Sequence, residues 1–259
     1  MTTQLARSFV IQSRVVFALL MREVLTRYGR HNIGFLWLFF EPMMFTLGIT
    51  AMWNATMHAS QLPITAFAVT GYSTVLLWRN MPSRCIESVT TNLQLMYHRN
   101  VKVIDIFLSR LLLEAVGATI SYTLLIVFFW YIGLMELPED VLKVLGAWAL
   151  LAWFGAALAI LLGSLSERTE LVDRIWHPLA YIIFPISGAA FMVDSLPPGF
   201  QDVVLWVPMV HGMELMREGY FGSQIRAHYD VSYLALVNLG LTFLGLQQSR
   251  LVSKFVVPE

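Results

Sequence analysis

Long apolar blocks alternate with short charged links along this chain, and two stretches depart from that rule by interleaving both residue classes. The blocks, residues 33–55, 62–78, 104–134, 141–165, 175–193 and 231–246, read as six transmembrane helices, since about 20 apolar residues cross a bilayer and packing stretches or shortens that figure. The first interleaved stretch sets Arg7, Arg14, Arg22, Arg27 and Arg30 among Phe9, Val10, Val16, Phe17, Leu20, Val24 and Leu25. Its uninterrupted apolar run is too short to cross, so residues 1–32 read as an N-terminal amphipathic helix in the interface plane. The second stretch, Arg79 to Glu114, carries Arg79, Arg84, Arg99, Lys102 and Arg110. From Pro82 onward Ile86, Val89, Leu93, Met96 and Tyr97 recur at helical spacing opposite Glu87, Thr90, Thr91 and Gln94. Pro82 suits the first turn of such a helix, where its missing N–H would be unpaired anyway. The spacing therefore predicts a surface helix from Pro82 and a turn at His98-Arg99-Asn100. Beyond them lies a third span, long enough to project past the bilayer.

Smaller features refine this plan. Phe200 to Val210 is apolar and Trp-containing but too short to cross, and it reads as a re-entrant or interfacial segment. The fourth block is rich in glycine and alanine, which lets helices approach closely in lipid. Pro42 predicts a kink in the first span. Its neighbour Glu41 is an intramembrane carboxylate with two readings, a functional site or the structural partner of an arginine on another helix. Arg110 and Glu114 stand one turn apart and are predicted to neutralise each other. Ser166 to Arg174 is a compact charged turn between two spans.

Composition supports the membrane reading: 13% of residues are charged, against roughly 25% in soluble domains. The balanced charge of +0 offers no footprint for nucleic acid, and the single Cys85 cannot form an internal disulfide. No cleavable signal peptide is expected, because arginines flank Val15 to Met21 and no small-residue cleavage site follows. Arg168, Arg174, Arg250 and Lys254 fall on the same side as the two basic stretches. The other side holds only Lys143, Arg217 and Arg226, set among Glu136, Glu139, Asp140, Asp194, Asp202, Glu214, Glu218 and Asp230. The excess of Lys and Arg marks the cytoplasmic side, so both termini are expected there. The chain has no GxxxxGK[ST] phosphate loop and no HExxH, and its 6 histidines lack metal-ligand spacing. No catalytic and no metal-binding residue is expected, and residues 1–259 read as a single all-α membrane domain.

Three stretches then stand out together: RYGRHNIGFLWLFFEPM (Arg27–Met43), MYHRNVKVIDIFLSRLLLE (Met96–Glu114) and FPISGAAFMVDSLP (Phe184–Pro197). In that order, along essentially the whole chain, they resemble the inner-membrane permease of type-2 ABC exporters for capsular polysaccharide. The resemblance implies a permease that pairs with a second copy of itself and recruits two separate ATP-binding subunits. Those subunits would hold the ATP and magnesium, and this chain would bind no cofactor and not be an enzyme itself. The cargo implied is a lipid-linked polysaccharide leaving the cytoplasm across the bacterial inner membrane, with periplasmic and outer-membrane export proteins completing the route. The resemblance also makes the amphipathic helix a gate and coupling element, with Tyr97, His98, Arg99, Asn100 and Lys102 facing the motor. Glu167 and Arg168 would form a second motor contact, and Phe200–Val210 part of a periplasmic gate.

Given such a cargo, lipid phosphate or acidic sugar at the entrance calls for cations, and Arg79, Arg84 and Arg99 are candidates because a guanidinium grips phosphate bidentately. Sugar rings passing through the membrane call for flat apolar faces. Trp37, Phe40, Trp53, Tyr72 and Trp78, with Glu41 beside them, are the channel candidates, although the same rings also serve as interfacial anchors. Competing readings are export of another lipid-linked glycan such as O-antigen or teichoic acid, a membrane-embedded lipid-phosphate sugar transferase, and an ion-coupled transporter using Glu41.

Overall fold

The structure, a computed structural model, describes residues 2–28, 33–56, 63–96 and 101–256, and among them every regular element is a helix. In chain order these are α1 (Thr2–Tyr28), α2 (Ile33–Thr56), α3 (Ile64–Cys85), α4 (Leu93–Met96), α5 (Val103–Tyr131), α6 (Val141–Ser166), α7 (Leu171–Ile186), α8 (Pro198–Val204), α9 (Pro208–Phe221) and α10 (Val231–Val256), with short 3-10 turns at Thr90–Asn92, Val193–Ser195 and Gly222–Gln224. Among the described residues three helices are long and apolar enough to cross a membrane: α5, α6 and the stretch Val231–Phe255 of α10. At 1.5 Å per residue the 29 residues of α5 reach about 43 Å, well beyond the roughly 30 Å of a hydrocarbon core.

Helix starts follow local chemistry. Asp140 caps α6 by accepting the Lys143 amide at 3.0 Å, and Asp230 Oδ1 accepts the amides of Ser232 and Tyr233 at 2.8 and 3.1 Å to open α10. Pro198 and Pro208 stand at the first positions of α8 and α9, where a missing N–H costs nothing. At α5, Asp105 Oδ2 accepts the Lys102 amide at 2.8 Å and the side-chain amide of Gln12, which fastens α1 to the start of α5.

The core is built on α3 against α6. A Cβ on Gly155 would lie 2.8 Å from the Trp78 Cα, and one on Gly163 would lie 2.9 Å from the Cys85 Cβ. Only glycine lets the two backbones come that close, as expected of a helix pair packed in lipid. Trp78, Met81 and Cys85 fill this seam, each no more than 1% exposed.

That seam also explains where the observed elements depart from the pattern. The second apolar block does not stop at Trp78, and Pro82 does not open a new helix: it lies inside α3, which runs on to Cys85. The buried residues Trp78, Met81 and Cys85 continue the stripe of α3 one turn at a time, so packing carries the helix through the proline. The predicted surface helix is then broken. Glu87 takes a left-handed φ of 53°, and residues 90–96 form a 3-10 turn followed by a single α turn. Its two faces survive only in part. Ile86, Val89 and Met96 are buried and Glu87, Thr90, Thr91 and Gln94 exposed. Leu93 of the apolar face is 42% exposed, because the break after Cys85 turns it outward, and Tyr97 lies outside the described residues. The fifth block is also displaced: α7 spans Leu171–Ile186, and the chain after Pro185 turns through Gly188 at φ 83°.

Candidate functional site

The basic end of the bundle brings three arginines and two glutamates together where α1 crosses α3 and α5. Glu114, on α5, has 6% of its side chain exposed, and its Oε1 is paired with the Arg27 guanidinium of α1 and, at 3.2 Å, with Arg84 Nε of α3. Arg110 does not neutralise Glu114 along the helix. Its Nε lies 3.4 Å from Glu23 of α1, and its guanidinium donates to the Arg84 carbonyl at 2.6 Å. The intrahelical pairing expected of Arg110 and Glu114 is displaced because α1 supplies closer partners to both. Glu23, Thr26, Arg27, Ser83, Arg84 and Arg110 surround a cavity of about 290 Å³, a size that admits a phosphate or a sugar acid.

Charge and exposure separate the three cations. Arg27 is 18% exposed and Arg110 17%, whereas Arg84 is 51% exposed. Arg84 can therefore turn toward an anion without opening the contact between α1 and α5. Arg79 is half-buried with its guanidinium 5.4 Å above the Tyr181 ring of α7, so it faces α7 and not this cavity. Arg99 lies outside the described residues, as do Tyr97, His98 and Asn100.

The channel candidates divide in the same way. Trp37 and Phe40 are exposed on α2 with ring centroids 5.9 Å apart. Tyr72 stacks on Phe45 at 3.8 Å, both rings meet Phe184 edge-on at 6.3 Å, and the Tyr72 hydroxyl donates to Glu41 Oε1 at 3.4 Å. Glu41 also borders a cavity of about 30 Å³ whose lining mixes the polar Ser73, Asn80, Glu114 and Ser121 with apolar neighbours, room enough for water. Among the described residues the partner of Glu41 is the Tyr72 hydroxyl, where the structural reading called for an arginine. Trp78 is 1% exposed and meets Phe154 edge-on at 6.2 Å, so it belongs to the α3–α6 seam and lines no open face of this chain. The side chain of Trp53 lies outside the described residues.

The remaining coupling candidates sit at the same end. Lys102 is exposed at the start of α5. Arg168 donates to Gln248 of α10 at 3.0 Å, and Glu167 turns inward to accept the amides of Val89 and Thr90 at 2.9 and 3.1 Å.

At the opposite end, the segment read as re-entrant spans the short helix α8, a three-residue link and the start of α9. Phe200 and Val203 of α8 and Trp206 of the link are exposed, while α9 is buried almost throughout. Arg217 is fully buried: it donates to the carbonyls of Phe191 and, at 2.8 Å, Ala189, and its guanidinium sits 3.9 Å above the Phe67 ring. Burial lowers its pKa to about 9, against the opposing pull of Glu214. Burial likewise pushes the Glu214 carboxyl up, opposed by the amides of His228 and Val193 that it accepts. Charge counting had marked Arg217 only as an outer-side cation. Its role is to satisfy the irregular backbone that follows α7, which must find partners inside the protein wherever water is scarce. The usable signal was a lone Glu-x-x-Arg pair inside the apolar run PMVHGMELMREGYF.

Comparison with known proteins extends this geometry. The family profile described as ABC-2 type transporter matches residues 14–221. The chain is similar to the capsule polysaccharide export inner-membrane protein CtrC of Neisseria meningitidis, 44% identical over 259 residues that cover 99% of this chain and 98% of that protein. It is similar to the capsule polysaccharide export inner-membrane protein BexB of Haemophilus influenzae, 42% identical with the same coverage of both. A more distant likeness, 28% over 249 residues, is to the polysialic acid transport protein KpsM of Escherichia coli, covering 95% of this chain and 96% of that protein.

Proposed function

The chain belongs to the ABC-2 type transporter family, and from that premise we propose that it is the membrane-spanning subunit of an exporter moving capsular polysaccharide across the bacterial inner membrane. The observation that carries the reading is similarity to capsule polysaccharide export inner-membrane proteins over 99% of this chain and 98% of theirs. The chain works as a pair of copies, each holding a separate ATP-binding subunit, and crosses the membrane six times with both termini in the cytoplasm. Its cargo is the polymer on its lipid carrier.

The cavity beside Arg84 supports this assignment. It lies at the end of the bundle rich in arginine, between an amphipathic helix and two apolar ones, where an anionic headgroup can sit while its acyl chains stay in lipid. Arg84 serves the entrance, and Arg27 and Arg110 hold the frame around it. Exposed Trp37 and Phe40, with the Phe45, Tyr72 and Phe184 cluster, offer flat faces for sugar rings. The segment Phe200–Val210 closes the opposite end, with Arg217 of α9 tying that helix to the chain after α7.

The test is co-expression with a separately encoded ATP-binding subunit. A stable complex of both proteins, with ATP hydrolysis that rises when lipid-linked polymer is added, is expected. A chain that purifies alone and never associates with an ATPase would overturn the proposal.

A further inference from the structure

We infer that Glu167 is a positioning residue that locks the turn after α6 to the turn after α3, so that the two cytoplasmic coupling segments move as one body. The inference rests on the exporter reading and assigns Glu167 a different part in it: its carboxylate grips this chain's own backbone.

Both carboxylate oxygens are committed. Oε1 accepts the Val89 amide at 2.9 Å, while Oε2 accepts the Thr90 amide at 3.1 Å and the Thr90 hydroxyl. Amides at the start of a helical turn have no partner within the turn, so a carboxylate there both satisfies them and meets the positive end of the local dipole. The neighbouring Ser166 adds a fourth link, accepting the Glu87 amide at 3.0 Å while donating to the Gly163 carbonyl at 2.9 Å. Glu87 is the residue with the left-handed φ of 53°. A side chain larger than glycine is disfavoured there, and such a conformation persists only when its surroundings hold it. The clip at 166–167 supplies that hold.

From the clipped turn the connection runs on to α1. The Asn92 side chain donates to the Ser88 carbonyl at 2.8 Å, and its oxygen accepts from Arg22 at 2.8 Å. Ser88 and Val89 are completely buried, so the turn cannot shift without breaking packing. On the same helix α1, the adjacent Glu23 and, five residues on from Arg22, Arg27 frame the arginine cavity. A displacement imposed at residues 166–170 therefore reaches the cavity through two hydrogen-bonded turns. Glu167 is the joint at which the path can be cut.

Two measurements test this. On the full chain in detergent, Glu167→Ala is expected to speed amide exchange at Val89 and Thr90 by about tenfold or more, since each loses the carboxylate oxygen that accepts it, with residues 144–160 unchanged. Glu167→Gln, which keeps one carbonyl acceptor, should give an intermediate effect. Thr90→Val, which removes one bond without touching α6, should give a smaller one. On the complex with the ATP-binding subunit, Glu167→Ala is expected to retain assembly but lower the polymer moved per ATP hydrolysed, with Glu167→Gln partly restoring the ratio. Unchanged exchange at Val89 and Thr90 would overturn the clip. So would loss of ATPase assembly, which would return Glu167 to the motor interface, or transport and hydrolysis falling in proportion, which would leave it a purely structural role. The exchange measurement needs no ATPase, so the clip can fail while the exporter reading stands, and the reverse.

Discussion

Replacing Glu114 by glutamine separates the structural part of the arginine cavity from the part free to bind. The substitution keeps the shape of the side chain, removes its charge and turns an amide toward cations. Glu114 is 6% exposed and Arg27 18%, so that pair lies near the buried limit. There, removing one partner costs about 3–5 kcal/mol because the other charge is left without compensation. Arg84 is 51% exposed, so its contact at 3.2 Å lies near the surface limit, about 0–1 kcal/mol. A glutamine still accepts one hydrogen bond, which brings the expected loss for Glu114→Gln to about 2–3 kcal/mol. For a chain of this size that corresponds to a fall in Tm of roughly 5–10 °C. Thermal unfolding in detergent of Glu114→Gln, Arg27→Ala, Arg84→Ala and the two double variants resolves the pairwise terms. The Glu114–Arg27 coupling should be about 2 kcal/mol and persist at about 1 M salt, where exposed pairs are screened within about 3 Å. The Glu114–Arg84 coupling should stay below about 1 kcal/mol and vanish at the same salt concentration. Equal couplings, or a Glu114–Arg84 term that resists salt, would refute the claim that Arg84 is held loosely enough to serve an incoming anion.

Other outcomes follow from the same geometry. Arg84→Ala should lower polymer-stimulated ATP hydrolysis in the complex while leaving assembly intact, and equal stimulation in variant and parent would remove Arg84 from the entrance. Gly155→Ala should destabilise the chain by about 1–3 kcal/mol, because its Cβ would meet the Trp78 backbone at 2.8 Å. Gly146→Ala in the same helix meets nothing within 4 Å and should be neutral or slightly stabilising in the same unfolding assay. At the opposite end, the hydroxyl of Tyr229 holds the Glu218 carboxyl below its ordinary value, and the same bond raises the Tyr229 hydroxyl to about 12. A lowered carboxylate stabilises fully above its unfolded value near 4.5 and loses that contribution as pH falls through the folded one. A raised phenol stabilises below about 10 and loses its contribution between about 10 and 12. Tyr229→Phe should therefore flatten both limbs of the stability–pH profile, as followed by unfolding midpoints.

Hydrophobic blocks were legible wherever burial follows residue type along a single helix. The block read at 141–165 is helical from Val141 to Ser166, and that at 104–134 from Val103 to Tyr131. What could not be read was set by contacts between distant elements. Pro82 looked like a helix start because proline favours that position, yet the glycine seam of α6 draws α3 onward through it. Arg110 and Glu114 looked like a pair because they are one turn apart, until α1 delivered Glu23 and Arg27 to them. Trp78 looked like a channel ring from its residue type, and only the packing of Phe154 against it reveals its burial. The stretch around Glu167 was legible as a charged turn. Its commitment to Val89 and Thr90 was not, because a carboxylate binding backbone amides leaves no complementary charge in the sequence.

An exporter subunit of the proposed kind should move polymer only when coupled to a separate ATPase. The most direct measurement reconstitutes the chain with its ATP-binding subunit in inside-out proteoliposomes and follows lipid-linked capsular polymer into the lumen. Accumulation should require both ATP and the ATP-binding subunit. Accumulation by the lone chain, or accumulation indifferent to ATP, would contradict it.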